Sequence, residues 1–145
     1  MHKMPEIKAL AKKTYQELNR EFLRTRDLVN IKGALNYLIG ELSERYDVKA
    51  PKWRIDAEYC AKRKVLASYT PNSKGALGGR ITFSKFIEFG LVIHEFVHHL
   101  QHKRHSGIWQ KDFSYTYMLD WGKRPQEIQA VYLEIVANRA IGAIR

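Results

Sequence analysis

The chain of 145 residues contains one cysteine, Cys60. An internal disulfide is excluded, and so is a thiolate metal cluster, so any metal has to be held by imidazole and carboxylate. A reducing, cytoplasmic setting is expected. Long apolar runs are also missing: ahead of His94 none exceeds three residues, as in Leu91-Val92-Ile93, far short of the roughly 20 residues of a membrane span. No membrane association is expected. The opening residues Met1 to Lys8 are charged from the start and lack the apolar centre of a secretory signal, so no targeting segment is expected. Acidic residues are scarce, 15 Asp and Glu against 25 Lys and Arg, a formal charge of +10. The hydrophobic fraction of 45% nonetheless excludes wholesale disorder, and the length suits a single domain, residues 1–145.

The basic excess is diffuse. Residues 1–64 carry 15 basic and 9 acidic side chains, and residues 65–145 carry 10 and 6. Clusters at Lys62-Arg63-Lys64 and Lys103-Arg104-His105 are short and not interleaved with aromatics. They read first as solvated faces, and second as a patch for nucleic acid or an acidic partner, whose binding would be salt-sensitive and sequence-independent.

Hydrophobic periodicity divides the chain into a helical part, residues 1–50, and a part with a small sheet and further helices, residues 51–145. Pro5 sits where a first helical turn tolerates it, and Ile7, Leu10, Ala11, Thr14, Leu18 and Phe22 recur at helical spacing, with a break from Arg24 to Val29. Ile31, Leu35, Leu38, Leu42 and Tyr46 form a second stripe that ends before Pro51. The period then falls to two, with Trp53, Ile55, Ala57 and Tyr59 alternating with charged residues as in a half-buried strand. Val65, Ala67 and Tyr69 continue in that style, and a turn-rich stretch, Pro71 to Gly79, leads into the short strand Arg80 to Phe83. Ser84 is a candidate N-cap for an apolar helix from Lys85 to about Lys103, with Phe86, Phe89, Ile93, Val97 and Leu100 on one side. Residues 106–124 are aromatic and irregular, and Pro125 opens a last helix with Ile128, Val131, Ile135 and Ile144 at its apolar positions. The fold class is α+β.

The apolar helix contains His94-Glu95-Phe96-Val97-His98, the pattern H-E-x-x-H. Positions i and i+4 project from one helix face, so both imidazoles can converge on one zinc ion while Glu95 reaches its water. With 6 His and 10 Glu in the chain, chance supplies roughly 0.02 occurrences. Two histidines and a glutamate on the helix that periodicity marks as most buried would also be costly to desolvate without a partner. The bland reading makes them satisfied histidines and a helix-face charge. His99 and His102 fall on other faces and are expected to meet solvent.

On these residues the chain resembles the zincin metallopeptidases from about Trp53 onwards, specifically a compact gluzincin. The resemblance implies a small three- to four-stranded sheet packed on the H-E-x-x-H helix, with two N-terminal helices and one C-terminal helix. It implies one zinc ion held by His94, His98 and a downstream glutamate. Glu127, in Glu127-Ile128-Gln129-Ala130, is the first choice, and Glu134, in Glu134-Ile135-Val136-Ala137-Asn138, the second; whichever does not bind could hold a ligand histidine by its other ring N–H. A rival third ligand is His105, because His105-Ser106-Gly107-Ile108-Trp109 loosely resembles the segment that follows the motif in SprT-like proteases, with Ser before Gly as a departure. The metzincin pattern fails, since Gln101 and Arg104 stand where Gly and His are needed. The implied activity is zinc-dependent cleavage of a protein or peptide, with Glu95 as general base and Tyr115, Tyr117 or Tyr132 as candidate oxyanion donors. The strand Arg80 to Phe83 resembles the edge strand that pairs with extended substrate, with Gly78-Gly79 permitting close approach. The alternative is a basic nucleic-acid- or protein-binding module with a structural or inactive zinc site.

Overall fold

A computed structural model describes residues 7–71, 79–104 and 125–143. In chain order the elements are α1 (Lys12–Leu28), α2 (Ile31–Arg45), β1 (Lys52–Ile55), α3 (Ala57–Arg63), β2 (Ala67–Thr70), β3 (Arg80–Phe83), α4 (Phe89–Arg104) and α5 (Pro125–Ala140). Among the described residues the architecture is thus α+β, with five helices and one three-stranded mixed sheet of order β1-β3-β2. No described helix is long and apolar enough to cross a membrane.

Tyr15, Leu18 and Phe22 bury the inner face of α1, but the helix begins later than the stripe from Ile7 implied and runs through the expected break to Leu28. Its last turns need no apolar stripe because they are exposed and tied locally, Arg24 Nη2 to Glu21 Oε2 at 2.8 Å and Thr25 Oγ1 to the Glu21 carbonyl at 2.8 Å. Asn30 caps α2, its Oδ1 accepting from the Gly33 N–H at 2.8 Å, and the predicted stripe supplies the buried Leu35, Leu38 and Leu42.

The first strand is shorter than its alternation suggested. Trp53 and Ile55 belong to β1, but Asp56 Oδ1 accepts from the Tyr59 N–H at 3.0 Å and caps α3, so Ala57 and Tyr59 are helical. A local side-chain cap overrides the period-two pattern there. β1 runs parallel to β3 with Trp53 opposite Ile81, and β2 runs antiparallel with Tyr69 opposite Ile81. The strand Arg80 to Phe83 is therefore central, not an edge: both its sides are taken by β1 and β2, which leaves no room for an extended substrate to pair with it.

Ser84 does not cap α4. Its Oγ accepts from the Phe86 N–H at 3.3 Å in a tight turn, and the helix begins at Phe89. Thirteen of the 16 residues of α4 are buried, so this helix is the centre of the molecule, between α1 and α2, the sheet, and α5. His99 and His102, expected in solvent, are 0% and 2% exposed. Gly90 lets α5 come close, since a β-carbon there would stand 2.3 Å from Asn138 Oδ1.

Candidate metal centre

The motif residues sit on the α4 faces that meet α5 and the sheet. His94, His98 and Gln101, at i, i+4 and i+7, line the seam with α5, whereas Glu95, His99 and His102 repeat the same spacing one position on. His94, Glu95 and His98 each present a possible ligand atom within 4.8 Å of the others, and all three are buried. The imidazole centroids are 5.1 Å apart.

From α5, the Glu127 carboxylate faces both rings. Its Oε1 is 2.5 Å from His98 Nε2 and its Oε2 is 3.3 Å from His94 Nε2. Two turns along α5, Glu134 Oε1 lies 2.8 Å from His94 Nδ1. The seam is an antiparallel ladder: Asn138 lies against Gly90, Glu134 against His94, Glu127 against His98, and Gln126 and Gln129 against Gln101.

Hydrogen-bond logic assigns the ring protons. The Gln126 carbonyl can only accept, so Gln101 Nε2 faces it at 3.1 Å and Gln101 Oε1 faces His98 Nδ1 at 2.9 Å. His98 Nδ1 is then the donor, and His94 Nδ1 donates to the Glu134 carboxylate. Both Nε2 atoms turn toward the Glu127 carboxylate, an acceptor, and two ring lone pairs facing a carboxylate require a positive centre between them, protons or a metal ion. Without a metal, a proton on His94 serves. Burial on its own lowers the His94 pKa, but hydrogen bonds to Glu127 and Glu134 outweigh it and carry the value to about 10. Burial raises that of Glu127, and the bonds to His94 and His98 outweigh it and bring it to about 2.

The donor set fits a divalent ion. Two imidazole nitrogens and a carboxylate are a donor set that divalent metal ions take, and the buried Glu127 Oε2 has only the long 3.3 Å contact with His94 Nε2 to satisfy it. Ligands at about 2.0–2.1 Å from a tetrahedral centre stand about 3.3 Å from one another; the His94–Glu127 separation matches this, and the His98–Glu127 separation needs to open by less than an ångström. Each imidazole already has its other nitrogen held, as metal-bound histidines do.

Comparison with known proteins adds nothing to this. The chain matches no family model, no curated protein and no solved structure. The functional reading rests on the residues themselves.

Glu95 is 4% exposed, and burial raises its pKa, countered by His98 and His94. Of the alternative ligands, Glu134 meets the outer nitrogen of His94 rather than its Nε2. His105, Tyr115, Tyr117 and Gly78 lie outside the described residues. Tyr132 is 61% exposed. Sequence reasoning passed over Gln101, seen there only as the residue that breaks the metzincin pattern. Its spacing of three from His98 on a buried helix was the available signal. It also missed the partners of His99, which pins α4 to its surroundings: Nδ1 lies 2.9 Å from the Tyr69 hydroxyl and Nε2 lies 2.7 Å from the Lys49 carbonyl. The basic clusters are engaged locally where they are described, Lys62 with Glu58, Arg63 over the Tyr59 ring, and Arg104 with the Tyr46 carbonyl.

Proposed function

We propose that the chain is a zinc-dependent metallopeptidase of the gluzincin type, with His94, His98 and Glu127 as the metal ligands and Glu95 as the general base. The observation that carries this is the convergence of two imidazole Nε2 atoms, one helical turn apart, on the carboxylate of Glu127. Zinc bound there supplies a Lewis acid and a water acidified toward about pKa 7.

The chain's own residues do the rest. Glu134 and Gln101 hold the two imidazoles in the tautomer that leaves Nε2 free. Glu95 stands one position from the first ligand and is not hydrogen-bonded among the described residues, so its carboxylate is available to accept a proton from water and pass it to the leaving amine. Its raised pKa brings it closer to neutrality, where a group that both takes and returns a proton works best. A purely structural site has no use for that carboxylate.

The test is digestion of casein or a mixed peptide pool by the zinc-loaded protein, beside Glu95→Gln. Chelator-sensitive cleavage that disappears in Glu95→Gln while zinc stays bound supports the reading. Full zinc occupancy with no cleavage overturns it; if that protein also binds DNA in a salt-dependent way, the +10 charge points to a basic binding module with a structural zinc.

A further inference from the structure

The two proposed histidine ligands are held differently. Behind His94 stands a carboxylate, Glu134, whose side chain is 32% exposed. Behind His98 stands an amide, Gln101, which is completely buried. The amide is itself fixed at its nitrogen by the Gln126 carbonyl at 3.1 Å and by Gln129 Oε1 at 2.8 Å. Gln126 and Gln129 flank Glu127 on α5. One side chain thus grips a ligand on α4 and the helix turn that presents the third ligand.

We propose that Gln101 is a positioning residue for the metal centre: its amide sets the His98 tautomer and registers His98 against Glu127. The inference rests on the zinc reading above. A neutral amide suits this place because the carboxylates of Glu95, Glu127 and Glu134 already surround two imidazoles, and a further carboxylate at the fully buried Gln101 position would add like charge at a desolvation cost. An amide also does what a carboxylate cannot, accepting from the ring with its oxygen while donating to α5 with its nitrogen.

Two variants separate positioning from packing. Gln101→Met keeps the length and bulk and removes the acceptor; Gln101→Glu keeps an acceptor oxygen and removes the donor to α5. Zinc affinity is measured by competition with a chromophoric chelator, and ligand geometry by the visible spectrum of the cobalt-substituted protein. In Gln101→Met, zinc binding weakens about 10–100-fold and the cobalt bands shift. In Gln101→Glu the acceptor for His98 Nδ1 remains while the donor to α5 is lost, so zinc binding also weakens but by less than in Gln101→Met. Unchanged affinity and spectrum in Gln101→Met overturn the proposal. So do equal losses in both variants that track their melting temperatures, since that pattern means Gln101 only packs. Wild-type protein that takes up no zinc overturns the metal reading itself, whereas zinc-binding wild type with an indifferent Gln101→Met overturns this inference alone.

Discussion

Replacing Tyr69 by Phe deletes one oxygen atom and with it the buried hydrogen bond to His99. The Lys49 carbonyl can only accept, so His99 Nε2, 2.7 Å away, carries the proton. Nδ1 is then an acceptor and the Tyr69 hydroxyl, at 2.9 Å, donates to it. His99 is 0% exposed and Tyr69 9%, so water does not easily replace the lost donor, and the substitution leaves a buried acceptor unpaired. That costs about 1–3 kcal/mol. At about 3 °C per kcal/mol for a chain of this size, Tm falls by about 3–9 °C. Thermal unfolding followed by circular dichroism at pH 7 reads the change, and a double-mutant cycle with His99→Leu reads the coupling, expected to be about 1 kcal/mol or more. A Tm within 1 °C of wild type (about 0.3 kcal/mol), or strictly additive losses, would refute the assigned tautomer and the pin built on it.

Three further outcomes are expected. Zinc occupancy measured by elemental analysis should collapse in Glu127→Ala and survive in His105→Ala, while Glu134→Ala weakens zinc binding about 10–100-fold; unaltered occupancy in Glu127→Ala would remove it as a ligand. Burial, aided by the charges of Lys103 and His102, holds His99 down to about 4 against the Lys49 carbonyl. The unfolded chain therefore binds this proton first as pH falls below about 6.5, and stability is lost between about pH 6.5 and 4, with about 2 kcal/mol gone by pH 5. Denaturant melts of metal-free protein at pH 7 and 5 should show a loss about 2 kcal/mol larger in wild type than in His99→Phe, where His102, also held down by burial, keeps a smaller one. Gly79 has φ of +90°, and a β-carbon there would lie 1.9 Å from the Tyr69 hydroxyl, so Gly79→Ala should lose at least about 2 kcal/mol in denaturant unfolding; a loss under about 0.5 kcal/mol would contradict the close approach.

The parts of this molecule legible from sequence are those where one local rule acts alone. The stripe of Leu35, Leu38 and Leu42 faces the core as its period requires, Pro125 opens α5, and Arg80–Phe83 has the expected bounds. Where two rules compete, the pattern misleads: Asp56 caps a helix inside an alternating run. Helix α4 defeats periodicity for a different reason. With neighbours on nearly every side it has no solvent face to which His99 and His102 could be assigned. The site divides along the same line. The spacing of His94, Glu95 and His98 is contained in one helix and is visible in five letters, whereas the contact of Glu127 and the supporting roles of Glu134 and Gln101 depend on the register of two antiparallel helices. No local pattern reports that register. Nor does strand order follow from strand sequence, which is why β3 was misplaced at an edge.

The ladder between α4 and α5 has a consequence for how the molecule breathes. The buried apolar side chains of α5 are Ala130, Leu133, Ala137 and Ala140, a single large group among three methyls, whereas α1 alone buries Tyr15, Leu18 and Phe22. Much of what fastens α5 is therefore polar and, in the proposed zinc form, ionic. Amide hydrogen exchange should find α5 the first helix to open when chelator withdraws the ion, while α1 and α2 exchange only with global unfolding. Metal content would then set the lifetime of the C-terminal helix against proteolysis as well as the chemistry in the seam.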